Sequence, residues 1–368
     1  MNRPLTRGEL IDWTRLARTP RIGPLTFQRL IGRFGAPAAA LEALPRLSHG
    51  AFTPPDAGRV ESEMEALAGL GARLVAACEP DYPALLRCVD PPPPIISLRG
   101  DTSLPAKRTV ALVGAREASG AGLKLAQTIA HDLGAMGFVV VSGLARGIDA
   151  AAHGAALDTG TIAVLAGGLD QPYPPQNLDL HARIVERGLV VSEAPLGAVA
   201  RARDFPRRNH VISGLALGVV VIEAAVRSGS LITARAAADQ GREVMAAPAS
   251  PLDPRGRGGN ALIKNGAALV ESAEDVAAHL GAAPRAFRGA PALPLFATDT
   301  AAPLDDHNMA RLARLLSPTP MHINDLARLA EMSLPATAAA LFELELAGRA
   351  ATLPGGYAAT GAAAYAPP

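Results

Sequence analysis

Short apolar runs alternate with amphipathic segments through the middle of this chain. TVALVG (109–114), FVVVSG (138–143), TIAVLAG (161–167), LVVSE (189–193), GVVVIEA (218–224) and REVMAAP (242–248) are rich in β-branched residues and bounded by Gly, Pro or polar residues. They predict six strands. The segments between them have helical spacing. Over about 120–136, Leu125, Ile129, Leu133 and Met136 make one stripe, with Lys124, Gln127, Thr128 and Asp132 elsewhere, so one face packs on a sheet. Strands separated by helices predict a doubly wound, mainly parallel α/β sheet over residues 107–280.

The flanks have a different pattern. Leu10, Ile11, Leu16, Leu25, Leu30, Ile31, Leu41 and Leu44 fall at helical spacings broken by Pro20, Gly23 and Gly35, which predicts an N-terminal helical domain over 1–80. Its segment RIGPLTFQRLIGRFG has the form of a SAM or helix-hairpin-helix element whose backbone N–H groups could meet a phosphate. An ordinary packed hairpin fits it equally. Residues 81–106 contain the run Pro91–Pro94, whose missing N–H donors disfavour helix and central strand, and are expected as a connector. Residues 281–305 mix Pro, Ala and Gly without period, as in a tether. Helices near 307–316, 322–331 and 334–347, followed by a hairpin tip at Pro354, Gly355 and Gly356, predict a winged helix over 306–368. Its last helix, LPATAAALFELELAG, carries Glu343 and Glu345 and no Lys or Arg. A protein contact or a structural role suits it better than a DNA groove.

Charge changes this picture only locally. The chain has 35 Lys+Arg against 34 Asp+Glu, so a polyanionic partner must be met by a patch. The two cysteines, Cys78 and Cys88, lack metal-ligand spacing, and reduced thiols in a cytoplasm are expected. The N-terminus has no hydrophobic signal core, and no apolar run reaches the ~20 residues that span a bilayer. A soluble, cytoplasmic protein with no membrane association follows.

The candidate chemistry lies where strands end. In open parallel sheets ligands bind beyond the carboxyl ends of the strands, where loops and helix N-termini present free N–H groups to anions. GAREASG follows the first strand. Gly114 lets the backbone approach closely, Arg116 offers a fork of donors and Ser119 can cap the next helix. SGLARGID repeats the logic with Ser142, Gly143, Arg146 and Gly147, and places Asp149 in a first helical turn. AGGLDQPYPPQN brings a proline-stiffened loop with Tyr173, and Asn177 at a candidate N-cap. RARDFPRRNHVISG gathers Arg201, Arg203, Arg207 and Arg208 around Phe205, followed by Asn209. Cations that neutralise phosphates beside a ring that stacks a base suit single strands, because duplex bases are not free to stack. Ser228, Gly229 and Ser230 open a further helix with a nest of donors. His153 has no second ligand at metal spacing, so a packed or hydrogen-bonded role is expected and no metal is implied. Leu262, Ile263 and Leu269 could serve a core or an interface.

The ordered motifs VGAR, SGLARGID, GGLDQPYPPQN, SEAP, FPRRN, EAAVRSGSLITA, GR and NALIKNGA resemble the DNA-processing protein A family, also called Smf, over about 108–280. The resemblance implies an extended Rossmann-like domain that dimerises and binds incoming single-stranded DNA in natural transformation. It also implies loading of the RecA recombinase onto that DNA, with no cofactor. Carried over to this chain, the DNA loops are those of Gly114, Arg116, Gly143, Arg146, Asn177, Phe205, Arg208, Asn209 and Ser230, with Phe205 the stacking residue. Ala115, Pro175 and Ala249 depart from the family pattern of serine, a basic residue and glycine. Pro175 puts that loop's phosphate contact in doubt, and Arg207 is a candidate to supply the missing charge. The competing reading is an enzyme of the nucleotide phosphoribohydrolase type with Glu223 as its acid. RSGSLITA stands where that group has PGG-x-GT, and no P-loop, GxSxG, HExxH or GxGxxG motif is present in the required context.

Overall fold

The computed structural model describes residues 3–48, 52–281, 306–353 and 355–361. The tether expected at 281–305 and Pro354 of the hairpin tip fall outside the described residues, Gly281 excepted. In chain order the helices are α1 (Arg7–Ala17), α2 (Pro24–Phe34), α3 (Pro37–Leu47), α4 (Ala57–Gly69), α5 (Ala84–Arg87), α6 (Gly120–Ala135), α7 (Ile148–Ala156), α8 (Leu178–Arg187), α9 (Asp204–Gly214), α10 (Gly229–Asp239), α11 (Arg257–Lys264), α12 (Ala273–Gly281), α13 (Asp306–Leu315), α14 (Ile323–Leu329) and α15 (Leu334–Leu346). The strands are β1 (Ala72–Ala76), β2 (Ile95–Gly100), β3 (Arg108–Gly114), β4 (Phe138–Ser142), β5 (Thr161–Leu165), β6 (Leu189–Ser192), β7 (Gly218–Ile222), β8 (Glu243–Ala246), β9 (Ala268–Leu269), β10 (Met321–His322), β11 (Ala350–Leu353) and β12 (Tyr357–Thr360).

The chain divides into two compact units, residues 1–14 with 57–293 and residues 15–56 with 294–368. The first is built on a nine-stranded sheet in the order β1-β2-β6-β5-β4-β3-β7-β8-β9. The six predicted strands are β3 to β8, and every pairing among them is parallel. They are apolar and buried along most of their length because helices cover both faces. The strand order reverses between β3 and β7, and there the carboxyl ends of the strands open a crevice.

Two expectations are corrected. Residues 81–106 are not a plain connector. IISLRG, directly after the prolines, is strand β2, which pairs antiparallel with both β1 and β6. The strand β1 in turn lies within the stretch read as purely helical. Pro91–Pro94 precede β2 rather than occupy it, so they do not interrupt its ladder. In α6 the stripe shifts: Gly122, Ala126, Ile129, Ala130 and Leu133 are buried, while Met136 caps the helix end and is exposed. Small residues let α6 lie close to the sheet.

The second unit has two parts. In the first, α2 and α3 are joined through Gly35, whose φ of 73° and N–H to Ile31 O at 2.8 Å end α2 in the left-handed conformation that favours glycine. In the second, α13, α14 and α15 close on Leu312, Leu326, Leu341 and Leu344 beside an antiparallel sheet in the order β10-β12-β11. This is the winged helix that the spacing predicts. Among the described residues no helix is long and apolar enough to cross a membrane, and Cys78 and Cys88 are free thiols.

Candidate nucleic-acid interface

The loop after β4 is held from within. Asp149, buried in the first turn of α7, accepts from the N–H groups of Gly143 at 3.1 Å and Ala145 at 3.3 Å. Burial pushes its carboxyl up while Arg208 nearby pulls it down. Leu144, with φ of 57°, donates its N–H to His153 Nε2 at 3.3 Å. Thr161 Oγ1 gives its proton to Val140 O, so it accepts from His153 Nδ1 at 2.7 Å. The imidazole is therefore neutral, and burial holds its pKa down at about 3. His153 is a packed, hydrogen-bonded residue, and the described residues hold no cluster of metal-ligating side chains.

Arg208 reaches the same loop from α9. Its Nη1 donates to Gly143 O and, at 3.0 Å, to Val164 O, and its Nε donates to Asn209 Oδ1 at 3.1 Å. A Cβ at Gly143 would collide with that guanidinium, so any side chain there would push Arg208 off these carbonyls. Burial lowers the Arg208 pKa to about 10, which leaves it charged at neutral pH. Asn209 Nδ2 donates onward to Gly229 O at 3.2 Å.

Above this base lies a pocket of about 250 Å³. Arg116 enters it from the β3–α6 loop, Gly143 and Arg146 from the β4–α7 loop, Tyr173 from the proline loop, and Phe205 and Arg208 from α9. Phe205 has the Arg116 guanidinium 5.3 Å and the Arg208 guanidinium 5.6 Å from its ring centroid. Tyr173, 54% exposed, meets it edge-on at 6.2 Å. Among the described residues no carboxylate lines this pocket. It can take an anion beside a planar apolar ring.

Five of the expected residues thus come together: Arg116, Gly143, Arg146, Phe205 and Arg208. The others are placed differently. Gly114 gives β3 room against Ile222 O and Ile148. Ser119 caps α6 through Gly122 N at 2.9 Å, and its N–H and hydroxyl both go to Glu223. Asn177 stands at the N-cap of α8, as expected, but its side chain makes no cap hydrogen bond. Its Nδ2 donates to Leu144 O at 2.9 Å and Ala145 O at 3.1 Å, tying the proline loop to the β4–α7 loop. Arg207 pairs with Glu193 rather than lining the pocket beside Pro175. Ser228 and Ser230 bond to each other at 2.7 Å at the start of α10, with Gly229 between them. Tyr173 is the residue the composition underplayed. An exposed tyrosine in a stiff loop reads as a connector until the fold sets it against Phe205.

A family model described as "DNA recombination-mediator protein A" matches residues 73–281. The chain belongs to the DNA-processing protein A family. Family models for the N-terminal helix-hairpin-helix domain and for the winged helix domain match residues 7–66 and 296–356. Protein Smf of Escherichia coli is 37% identical over 304 residues, covering 81% of this chain and 80% of that protein. The DNA processing protein DprA of Streptococcus pneumoniae is 44% identical over 199 residues, 54% of this chain and 70% of that one. Its X-ray structure superposes with a TM-score of 0.63 at 32% identity, covering 76% of this chain and 98% of that chain. The Helicobacter pylori family member, from a structure on its single-stranded DNA binding mode, has a TM-score of 0.52 at 26% identity over 57% of this chain and 95% of that one.

Proposed function

We propose that this chain binds single-stranded DNA in the pocket over β4 and β5, and that it acts as a recombination mediator of natural transformation. One observation carries the reading. Three guanidiniums and two aromatic rings converge on one mouth without a carboxylate among the described lining residues. Guanidiniums neutralise phosphates, and an aromatic face stacks a base that is not already paired. The single-stranded DNA described for the Helicobacter pylori relative supports the same ligand. The mediator role, with RecA as the protein that receives the strand in the cytoplasm, rests on the family and not on a surface of this chain. Association as a homodimer is part of the proposal. Leu269 is exposed on β9, the last strand of the sheet, with Leu262 and Ile263 half-buried on the adjoining α11. The phosphoribohydrolase reading loses its acid, because the Glu223 carboxylate is engaged by Ser119.

The test is fluorescence anisotropy with a labelled oligothymidine and a duplex of equal length across a salt series. The single strand binds more tightly, and Arg146→Ala weakens it and lowers the log–log salt slope by about 0.7, one single-strand phosphate contact. Equal affinity for both forms overturns the proposal. Leu269→Arg converts a dimer to a monomer by light scattering, and the wild-type chain speeds RecA nucleation on the bound strand.

A further inference from the structure

The described residues that line the proposed DNA pocket all belong to the first unit, and the third helix of the winged helix has an unusual surface of its own. Ala340, Leu341 and Leu344 of α15 join the core of their own domain. Phe342 and Leu346 lie outside that cluster and are buried too. A helix apolar around its circumference is covered on more than one side. Its charges at this end are the carboxylates of Glu343 and Glu345, with no Lys or Arg in the helix.

Within the second unit, α2 supplies part of that cover. Phe27, Leu30 and Ile31 form its buried side, and Arg29 and Arg33, one turn apart, lie on the opposite side. Like charges at this spacing repel on an isolated helix, so the stripe needs acidic neighbours. Arg33 pairs with Glu343, whose side chain is only 14% exposed. Arg29 lies 3.8 Å from Glu345 and sets its guanidinium 5.4 Å from the centroid of the Phe342 ring. Glu345 is held in place from β11, where Thr352 Oγ1 lies 3.0 and 3.1 Å from its two carboxylate oxygens.

We propose that α15 is a docking surface for the N-terminal helices of this same chain. The winged helix then works as an ionic clasp that joins the two ends of the polypeptide, with α2 seated on the helix that a DNA-reading winged helix would insert into a groove. The match is specific in chemistry: a cationic stripe meets two carboxylates that flank an aromatic ring. An arginine over a ring at this distance adds to the charge pairing. Because the pairs are partly exposed, salt screens them, and the clasp opens as ionic strength rises.

The full-length protein, with a specific protease site inserted near residue 295, tests this directly. After cleavage the C-terminal piece stays with the remainder on gel filtration at low salt, and leaves it as the salt is raised towards about 1 M. Arg29→Glu with Arg33→Glu weakens retention at least about tenfold, since like charges facing each other cost more than one factor of ten. Combining them with Glu343→Arg and Glu345→Arg restores it. Circular dichroism of each variant confirms that the helices persist. Separation of the cleaved wild type at low salt overturns the proposal, as does full retention in the double Arg→Glu variant. Retention that appears only between copies, seen as exchange of cleaved pieces between labelled and unlabelled protein at the same rate as their mixing, overturns the same-chain clasp in favour of one formed between chains.

Discussion

Two mouths open at the carboxyl edge of the nine-stranded sheet, and they differ in who supplies the anion. At the crevice between β3 and β7, where Rossmann-like proteins hold a phosphate against a helix N-terminus, the chain places its own carboxylate. Glu223, with φ of 51°, turns back from the end of β7 so that Ser119 N–H donates to it at 2.8 Å, and its carboxyl group lies where a Cβ at Gly122 would be. The positive end of α6 is thereby neutralised from within. Over β4 and β5 the arrangement is inverted. The loop backbone is satisfied by Asp149 and His153, the carbonyls of Gly143 and Val164 hold Arg208, and cations line the pocket. Similar glycine-rich loops thus end in a helix terminus closed by the chain's own carboxylate in one place and in a pocket lined by cations in the other.

Removing the anchored cation breaks this comparison most strongly. Arg208→Ala leaves Asp149 buried without its cationic neighbour and takes the donors from Gly143 O and Val164 O. A loss of about 4 kcal/mol in unfolding free energy is expected, together with loss of oligonucleotide binding. Urea denaturation measures the first. A variant of wild-type stability means that Arg208 is an ordinary surface ligand and not the base of the pocket.

Acid acts next, through the same loop. The folded-state pKa of His153 is about 3, below its ordinary 6.5, because burial and then the nearby Arg208 disfavour the charged ring. Between those values the unfolded chain takes up a proton that the folded chain refuses. The contribution is complete above about pH 6.5 and is lost at up to about 1.4 kcal/mol per pH unit as the pH falls towards 3. His153→Gln flattens that part of the profile, as read from urea midpoints between about pH 7 and pH 5. An unchanged slope in the variant removes His153 from the account.

Phe205→Ala separates stacking from charge. Each stacked base contributes about 1–3 kcal/mol, so affinity for oligothymidine falls roughly 5- to 150-fold while the salt slope keeps its value. A reduced slope with little loss of affinity would mean that the ring only positions Arg116 and Arg208, which flank it.

How far this site was legible in the chain depended on the kind of contact. The six central strands and the helices between them were readable because period-2 and period-3.6 patterns are local. The strand β2 was obscured by the four prolines before it, and β9 is only two residues long. Arg116 and Arg146 stood out as cations in loops that follow strands, and Arg208 as a cation beside Phe205 in a segment that the fold makes the first turns of α9. What composition could not separate was a donor that meets a ligand from one that meets the protein. Ser119, Asn177 and Arg207 have the same chemistry as pocket residues, yet their partners Glu223, Leu144 O and Glu193 lie 104, 33 and 14 positions away. Only the fold brings those acceptors to them. Tyr173 failed in the other direction, since it comes within reach of Phe205 across 32 residues of chain.

The smallest expected effect probes the closed mouth. Ser228 opens α10, and its Oγ accepts from Ser230 N at 3.3 Å and bonds Ser230 Oγ. Ser228→Ala removes a cap, which costs about 1 kcal/mol of stability. If the β3–β7 mouth is neutralised by Glu223 and takes no part in the ligand site, affinity for oligothymidine stays within about twofold of wild type, a difference of roughly 0.4 kcal/mol. Anisotropy on the wild-type and variant proteins at one salt concentration decides it. A tenfold loss would place a phosphate at α10 as well, and the strand would then run across both mouths of the sheet.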